Sequence, residues 1–171
     1  PRTLSPTHLD QNIVRMSWAM ANPRVRSAIN ALRVIMANGP AREILARRVA
    51  ALSWGTNDRM AFGAKGDAAV QLEQTCQANY RPFGGKFDTM DDLCGALGKA
   101  TLKVALIGEA LCDVRTKKLS LQVTHAGFYI RDTYDFSGFQ YLGVWSKRGV
   151  LSKAQMLMNA ASDGLALRLS G

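Results

Sequence analysis

The sequence predicts an α+β fold, with N-terminal helices followed by a small antiparallel β-sheet, for which a half-barrel is one available form. Three observations point there. Residues 5–52 carry apolar side chains at helical spacing, punctuated by Ser-Pro and Asn-Pro start signals. From residue 100 the chain turns richer in β-branched residues, and apolar and polar positions alternate. Its 171 residues, 47% hydrophobic and 20% charged, suffice for a single core without disulfide or metal. The reading is one domain over residues 1–171, with a mainly helical part at 1–97 and a β-rich part at 98–171.

Ser5-Pro6 sets an N-cap and a first-turn proline, and Leu9, Ile13, Met16 and Met20 follow as one stripe. Asn22-Pro23 repeats the signal ahead of Val25, Ile29, Leu32 and Met36. Asn38-Gly39 closes that helix, and Pro40 opens a third with Ile44, Leu45, Val49 and Leu52. Residues 53–66, with three glycines, read as a loop. Asp67 is placed to cap a fourth helix reaching about Ala78, and Arg81-Pro82-Phe83-Gly84-Gly85 reads as a break. A short helix is expected from Thr89 to Leu97, with Thr89 as its cap.

Two strands then form a hairpin across Arg115–Lys118. In the first, Leu102, Val104 and Leu106 alternate, although the frequent Ala and Leu leave a helix over 100–112 as an alternative. In the second, Leu119, Leu121 and Val123 share one face while Ala126, Phe128 and Ile130 occupy the other. A β-bulge near His125-Ala126-Gly127 reconciles the two phases. Gln140–Ser146 reads as a third strand, turning at Ser146–Gly149, and the remainder as a short helix after Ser152 and a closing strand at Leu165–Leu169.

Net charge is +9, which attracts polyanions: nucleic acid, an anionic membrane surface or an acidic partner. Three cysteines do not build a disulfide framework, and no Cys/His spacing suggests zinc. No run of 18 apolar residues is present. A start at Pro1 is expected of a piece of a larger polypeptide.

Chemistry concentrates in Arg131-Asp132-Thr133-Tyr134-Asp135-Phe136, at the end of the second hairpin strand. Asp132 and Asp135 can ligate a hard cation such as Mg2+, which takes carboxylate oxygens and keeps several waters. Tyr134 can donate a hydrogen bond to a phosphate. The same residues also suit a strand-to-turn junction, because aspartates cap turns. His125 is either a general base or a half-buried histidine at the bulge. Arg131, Lys147 and Arg148 are either phosphate ligands or solvated charge. No Gly-x-Ser-x-Gly elbow is present, and no cysteine is paired with a histidine.

The segment Gly127–Trp145, GFYIRDTYDFSGFQYLGVW, is similar to one in a family of bacterial proteins associated with type VI secretion. More distantly, the motif Asp132-Thr133-Tyr134-Asp135-Phe136, with Leu97-Gly98-Lys99 at the start of the preceding strand, resembles the activity domain of colicin M-like bacteriocins. Those enzymes cleave the lipid II peptidoglycan precursor between its undecaprenyl chain and its pyrophosphate, using Mg2+. The resemblance implies functional roles for Asp132, Tyr134 and Asp135. The His-Arg pair that follows in that family has Tyr141-Leu142 at about the same distance here. Either His125 or Lys147-Arg148 substitutes for it, or the chemistry differs. The resemblance further implies secretion into a target cell's periplasm or envelope, secretion-machinery partners, an immunity protein and an anionic lipid-linked substrate. A non-enzymatic adaptor or cargo domain, and a nucleic-acid-directed toxin, are the alternatives.

Overall fold

Asn22 and Asn38 start the two longest helices. Asn22 Oδ1 accepts the Arg24 amide (2.9 Å) and Asn38 Oδ1 accepts the Ala41 amide (3.0 Å), each with a proline in the first turn. Two of the amides that a helix start leaves without internal partners are thereby satisfied. The computed structural model describes residues 10–55, 57–85, 88–89, 91–113, 115–116 and 118–132, together with 145–146, 149–150 and 158. Its helices are α1 (Met16–Met20), α2 (Pro23–Ile35), α3 (Gly39–Ala50), α4 (Ala69–Thr75) and α5 (Asp92–Leu97). Its strands are β1 (Arg59–Phe62), β2 (Gln77–Phe83), β3 (Ala100–Cys112), β4 (Leu119–Arg131), β5 (Trp145–Ser146) and β6 (Gly149–Val150). Asn38→Ala is expected to cost about 1 kcal/mol in a urea melt, the usual loss for an N-cap.

Several expectations need correction. Among the described residues the first helix is Met16–Met20, because Asp10 Oδ1 accepts the amides of Asn12 (2.8 Å) and Ile13 (2.7 Å) and bends the chain where the stripe predicted helix; the expected start at Ser5-Pro6 lies outside the described residues. Asn38 caps the third helix instead of closing the second. The 53–66 loop contains β1. Asp67 accepts the Ala64 amide (2.7 Å), closing a turn, and α4 starts two residues later. The break at Arg81–Phe83 is the end of β2, so two strands come from the region expected to be mainly helical. Asp91, not Thr89, caps α5 through the Cys94 amide (2.9 Å).

The sheet is antiparallel, four-stranded and open, with β3 at its centre. β4 runs along one edge of β3, from Cys112↔Leu119 to Thr101↔Arg131. β1 pairs with its far half on the other edge, and β2 takes the remainder, entered by the Leu106 amide on the Cys76 carbonyl (3.0 Å). Much of β3 is buried on both faces. Leu102, Val104 and Leu106 are buried on one, and Ala105 and Ile107 on the other. That double burial explains the Ala- and Leu-rich composition that left a helix open. The register slips between Ile107↔His125 and Gly108↔Val123, so Thr124 is the extra residue of a β-bulge. The phase change in the sequence marked this bulge to within one residue.

The chain forms two compact units. One comprises Pro1–Phe83 with Thr101–Arg131, and the other Gly84–Ala100 with Asp132–Gly171. In the first, α2 and α3 both lie against β2, and the core includes Val25, Leu32, Leu45, Val49 and Phe62. In the second, Leu93 and Leu97 of α5 are buried, and β5 and β6 form a hairpin with Trp145↔Val150 and Ser146↔Gly149 in register. That hairpin turns where Ser146–Gly149 predicted. The expected strand at 165–169 and residues 140–144 of the expected third strand lie outside the described residues.

Candidate functional site

Strand alternation places Arg131 and Tyr129 on one face of β4, opposite Thr101 and Lys103 of β3. Helix α4 crosses the same region. Leu72 and Cys76, four residues apart and therefore on one side of the helix turn, are buried. Glu73, next to that side, reaches the strands. Glu73 Oε1 accepts from Lys103 Nζ (2.5 Å) and from Arg131 Nη1. The three side chains are only 15–33% exposed. One carboxylate thus joins α4, the first half of β3 and the last residue of β4.

Arg48 of α3 braces the same helix from its C-terminal end. Its guanidinium donates to the carbonyls of Glu73 (2.6 Å) and Gln74 (3.3 Å) and to Gln77 Oε1 (2.8 Å). Cationic donors at helix-terminal carbonyls satisfy orphan acceptors and oppose the dipole.

The electrostatics follow from burial and these partners. Burial opposes ionisation of Glu73, but the hydrogen bond and charge of Lys103, with the charge of Arg131, outweigh it and hold the carboxyl below the ordinary glutamate range. The Tyr129 phenol is pushed well up, first by burial and then by the negative Glu73 nearby. Its hydroxyl is buried and has no hydrogen-bond partner among the described residues. Burial also pushes the Cys76 thiol up, so this cysteine lacks the thiolate character of a nucleophile.

The predicted site residues distribute as follows. Arg131 ends β4, with Nη1 paired to Glu73 and its side chain one-third exposed. Asp132 follows directly, half-buried. Tyr134, Asp135, Lys147 and Arg148 lie outside the described residues. His125 is exposed beside the bulge, its Nδ1 3.0 Å from Thr124 Oγ1, and that hydroxyl donates to the Ile107 carbonyl (3.2 Å). Six residues of extended strand separate His125 from Arg131, roughly 20 Å at the usual rise. The fold therefore does not bring the histidine to the strand end. Among the described residues no group of three or more His, Cys, Asp or Glu is close enough to hold a metal. A magnesium site in this region would draw on Asp132 and Asp135, whose oxygens are of the right chemical type.

Sequence reasoning missed Glu73 and Lys103. Their separations from each other and from Arg131 follow no local period, so only the tertiary fold unites them. The one available signal was Glu73 itself, the sole charged residue of α4.

The model of a family of unknown function, DUF6402, matches residues 1–168. No curated protein and no solved structure matches the chain.

Proposed function

We propose that this chain, which belongs to the DUF6402 family of unknown function, is the toxic domain of an antibacterial effector delivered by a bacterial secretion system. Its reaction would be Mg2+-dependent hydrolysis of the phosphoester that joins a polyprenyl chain to its pyrophosphate, in a lipid II-type precursor. What supports this reading is the sequence order Asp132-Thr133-Tyr134-Asp135, which resembles the colicin M-like motif and directly follows the last residue of β4. The segment begins immediately after Arg131, and Arg131 is tied by Glu73 to two other elements of the first unit.

In this reading Asp132 and Asp135 hold the cation, and Tyr134 donates a hydrogen bond that orients the pyrophosphate. When bound, the ion supplies charge stabilisation at a phosphoryl oxygen and acidifies a water. Arg131, paired with Glu73, positions the strand end. His125 takes no part, being about 20 Å along the strand from Arg131. Lys147 and Arg148 are the candidate phosphate ligands. The positive balance of the chain favours an anionic lipid-linked substrate and an acidic immunity protein. The site of action would be the target cell's periplasm or envelope, with secretion-machinery proteins as partners on the way. Among the described residues no helix is long and apolar enough to cross a membrane.

Expression in a susceptible bacterium tests the reading. Export to the periplasm is expected to arrest growth, cytoplasmic expression to leave it unaffected, and Asp132→Ala to abolish the arrest. Toxicity on cytoplasmic expression would point to nucleic acid instead. No toxicity from either compartment would favour the adaptor.

A further inference from the structure

We infer that the outer surface of α1 and α2 is a docking face for an anionic lipid bilayer. Charge and exposed apolar area coincide there. From Gln11 to the end of α2 at Ile35 the sequence has four arginines, Arg15, Arg24, Arg26 and Arg33, with no lysine and no acid. Of the nine large hydrophobic side chains exposed among the described residues, five fall between Ile13 and Val34. Ile13 is 83% and Val34 85% exposed, with Trp18 and Met20 at 42% and 47%. Isolated exposed hydrophobics need no explanation, but a group interleaved with cations does.

Helix α1 packs against α2, and the Arg33 guanidinium lies at the sheet side of α2, 5.9 Å from the Phe128 ring. Arg26 and Arg33 are seven residues apart on α2, nearly two full turns, so they share a face. Val25, Ala28, Ile29 and Leu32 supply the buried side of that helix. Arg26 Nη1 donates to the carbonyls of Met20 (2.9 Å) and Ala21 (2.6 Å), which sets the end of α1 against the arginine row. Asp10 holds the turn that carries Ile13, through the Ile13 amide.

The combination selects a bilayer over nucleic acid. Phosphates alone would satisfy the arginines, but aliphatic side chains this exposed gain nothing from a phosphodiester backbone. A bilayer surface accommodates every part. Ile13 and Val34 enter the acyl boundary, Trp18 lies at headgroup depth, and the guanidiniums bind lipid phosphates while their stems cover apolar surface. Each basic residue near an anionic leaflet strengthens the attachment, in a salt-dependent way. This inference stands without the catalytic reading, since docking requires neither Asp132 nor a metal.

The test is co-sedimentation of the full chain with vesicles of phosphatidylcholine alone, or with about one-third phosphatidylglycerol. Binding is expected on the anionic vesicles only, and is expected to weaken as salt rises. Ile13→Glu with Val34→Glu is the informative variant, because both side chains are already mostly in water and the fold should survive, as checked by circular dichroism. It is expected to lower partitioning at least about tenfold. Ser120→Glu with Gln122→Glu adds the same charge on the exposed hairpin and is expected to retain far more of the binding. Four results would overturn the inference: equal or no binding to the two vesicle types, identical losses in the two variants, tighter binding to a labelled oligonucleotide that Ile13→Glu/Val34→Glu leaves intact, or a concentration-dependent dimer that this variant dissolves. No substrate is present in the assay, so its outcome is separate from that of the hydrolase reading.

Discussion

Gly108→Ala is expected to destabilise the protein by about 3 kcal/mol, at the upper end of the cost of overpacking a core. Alanine in place of a strand glycine ordinarily helps, because glycine loses more backbone freedom on folding. Here the sign reverses. A Cβ on Gly108 would lie 1.9 Å from the Gln122 carbonyl oxygen and 3.0 Å from Val123 Cα. Both are backbone atoms of β4, brought close where Thr124 bulges out of register. The strand cannot retreat without losing the pairing that extends to Cys112↔Leu119. Gly127→Ala is the matched control: its Cβ would meet Leu72 Cδ1 at 3.6 Å, an ordinary contact. Urea melts are expected to show Gly127→Ala neutral or stabilised by up to about 1 kcal/mol. A neutral Gly108→Ala would mean that the bulge is misplaced.

Glu73→Gln is expected to cost about 2 kcal/mol, because it leaves Lys103 and Arg131 close together without the carboxylate they share. The figure is below that for a fully buried pair, since Glu73 is 23% and Arg131 33% exposed. A cycle with Lys103→Met should be strongly non-additive, as expected for groups in one network. The pH dependence has a definite sign. Glu73 is held below the ordinary glutamate range, so its contribution is complete above that range and is lost as pH falls through the lower folded value. Wild type and Glu73→Gln should therefore differ most near neutrality and converge in acid. A gap that stays constant down to strongly acidic pH would show that the carboxylate's charge is not what binds the three elements.

The elements legible in the sequence were those with local causes. Asn22-Pro23, and Pro40, announce helices by chemistry that acts within four residues, although Asn38, which reads as a stop, is the cap. The β3–β4 hairpin declares itself by alternation, and its bulge by the break in that alternation at His125. β1 and β2 left no such trace. β1 has four residues among glycines, and β2 has Pro82 and an exposed outer half. Proline is compatible with a strand that leaves one side unpaired, which the sequence alone does not reveal. At the candidate site, Asp132 and its neighbours were visible as a concentration of chemistry. The Glu73–Lys103–Arg131 linkage was not, because it exists only once α4 lies across the two strands. His125 illustrates the converse. It is close to Arg131 in sequence, and an extended strand carries it away.

The most direct test of the central claim is purified protein incubated with labelled lipid II, with Mg2+ or with EDTA, read by mass spectrometry beside Asp132→Ala. Mg2+-dependent release of a pyrophosphorylated headgroup and free polyprenol is expected, lost in the variant while its circular dichroism is unchanged. Intact lipid II under every condition, from protein that is folded and toxic in the periplasm, would contradict it.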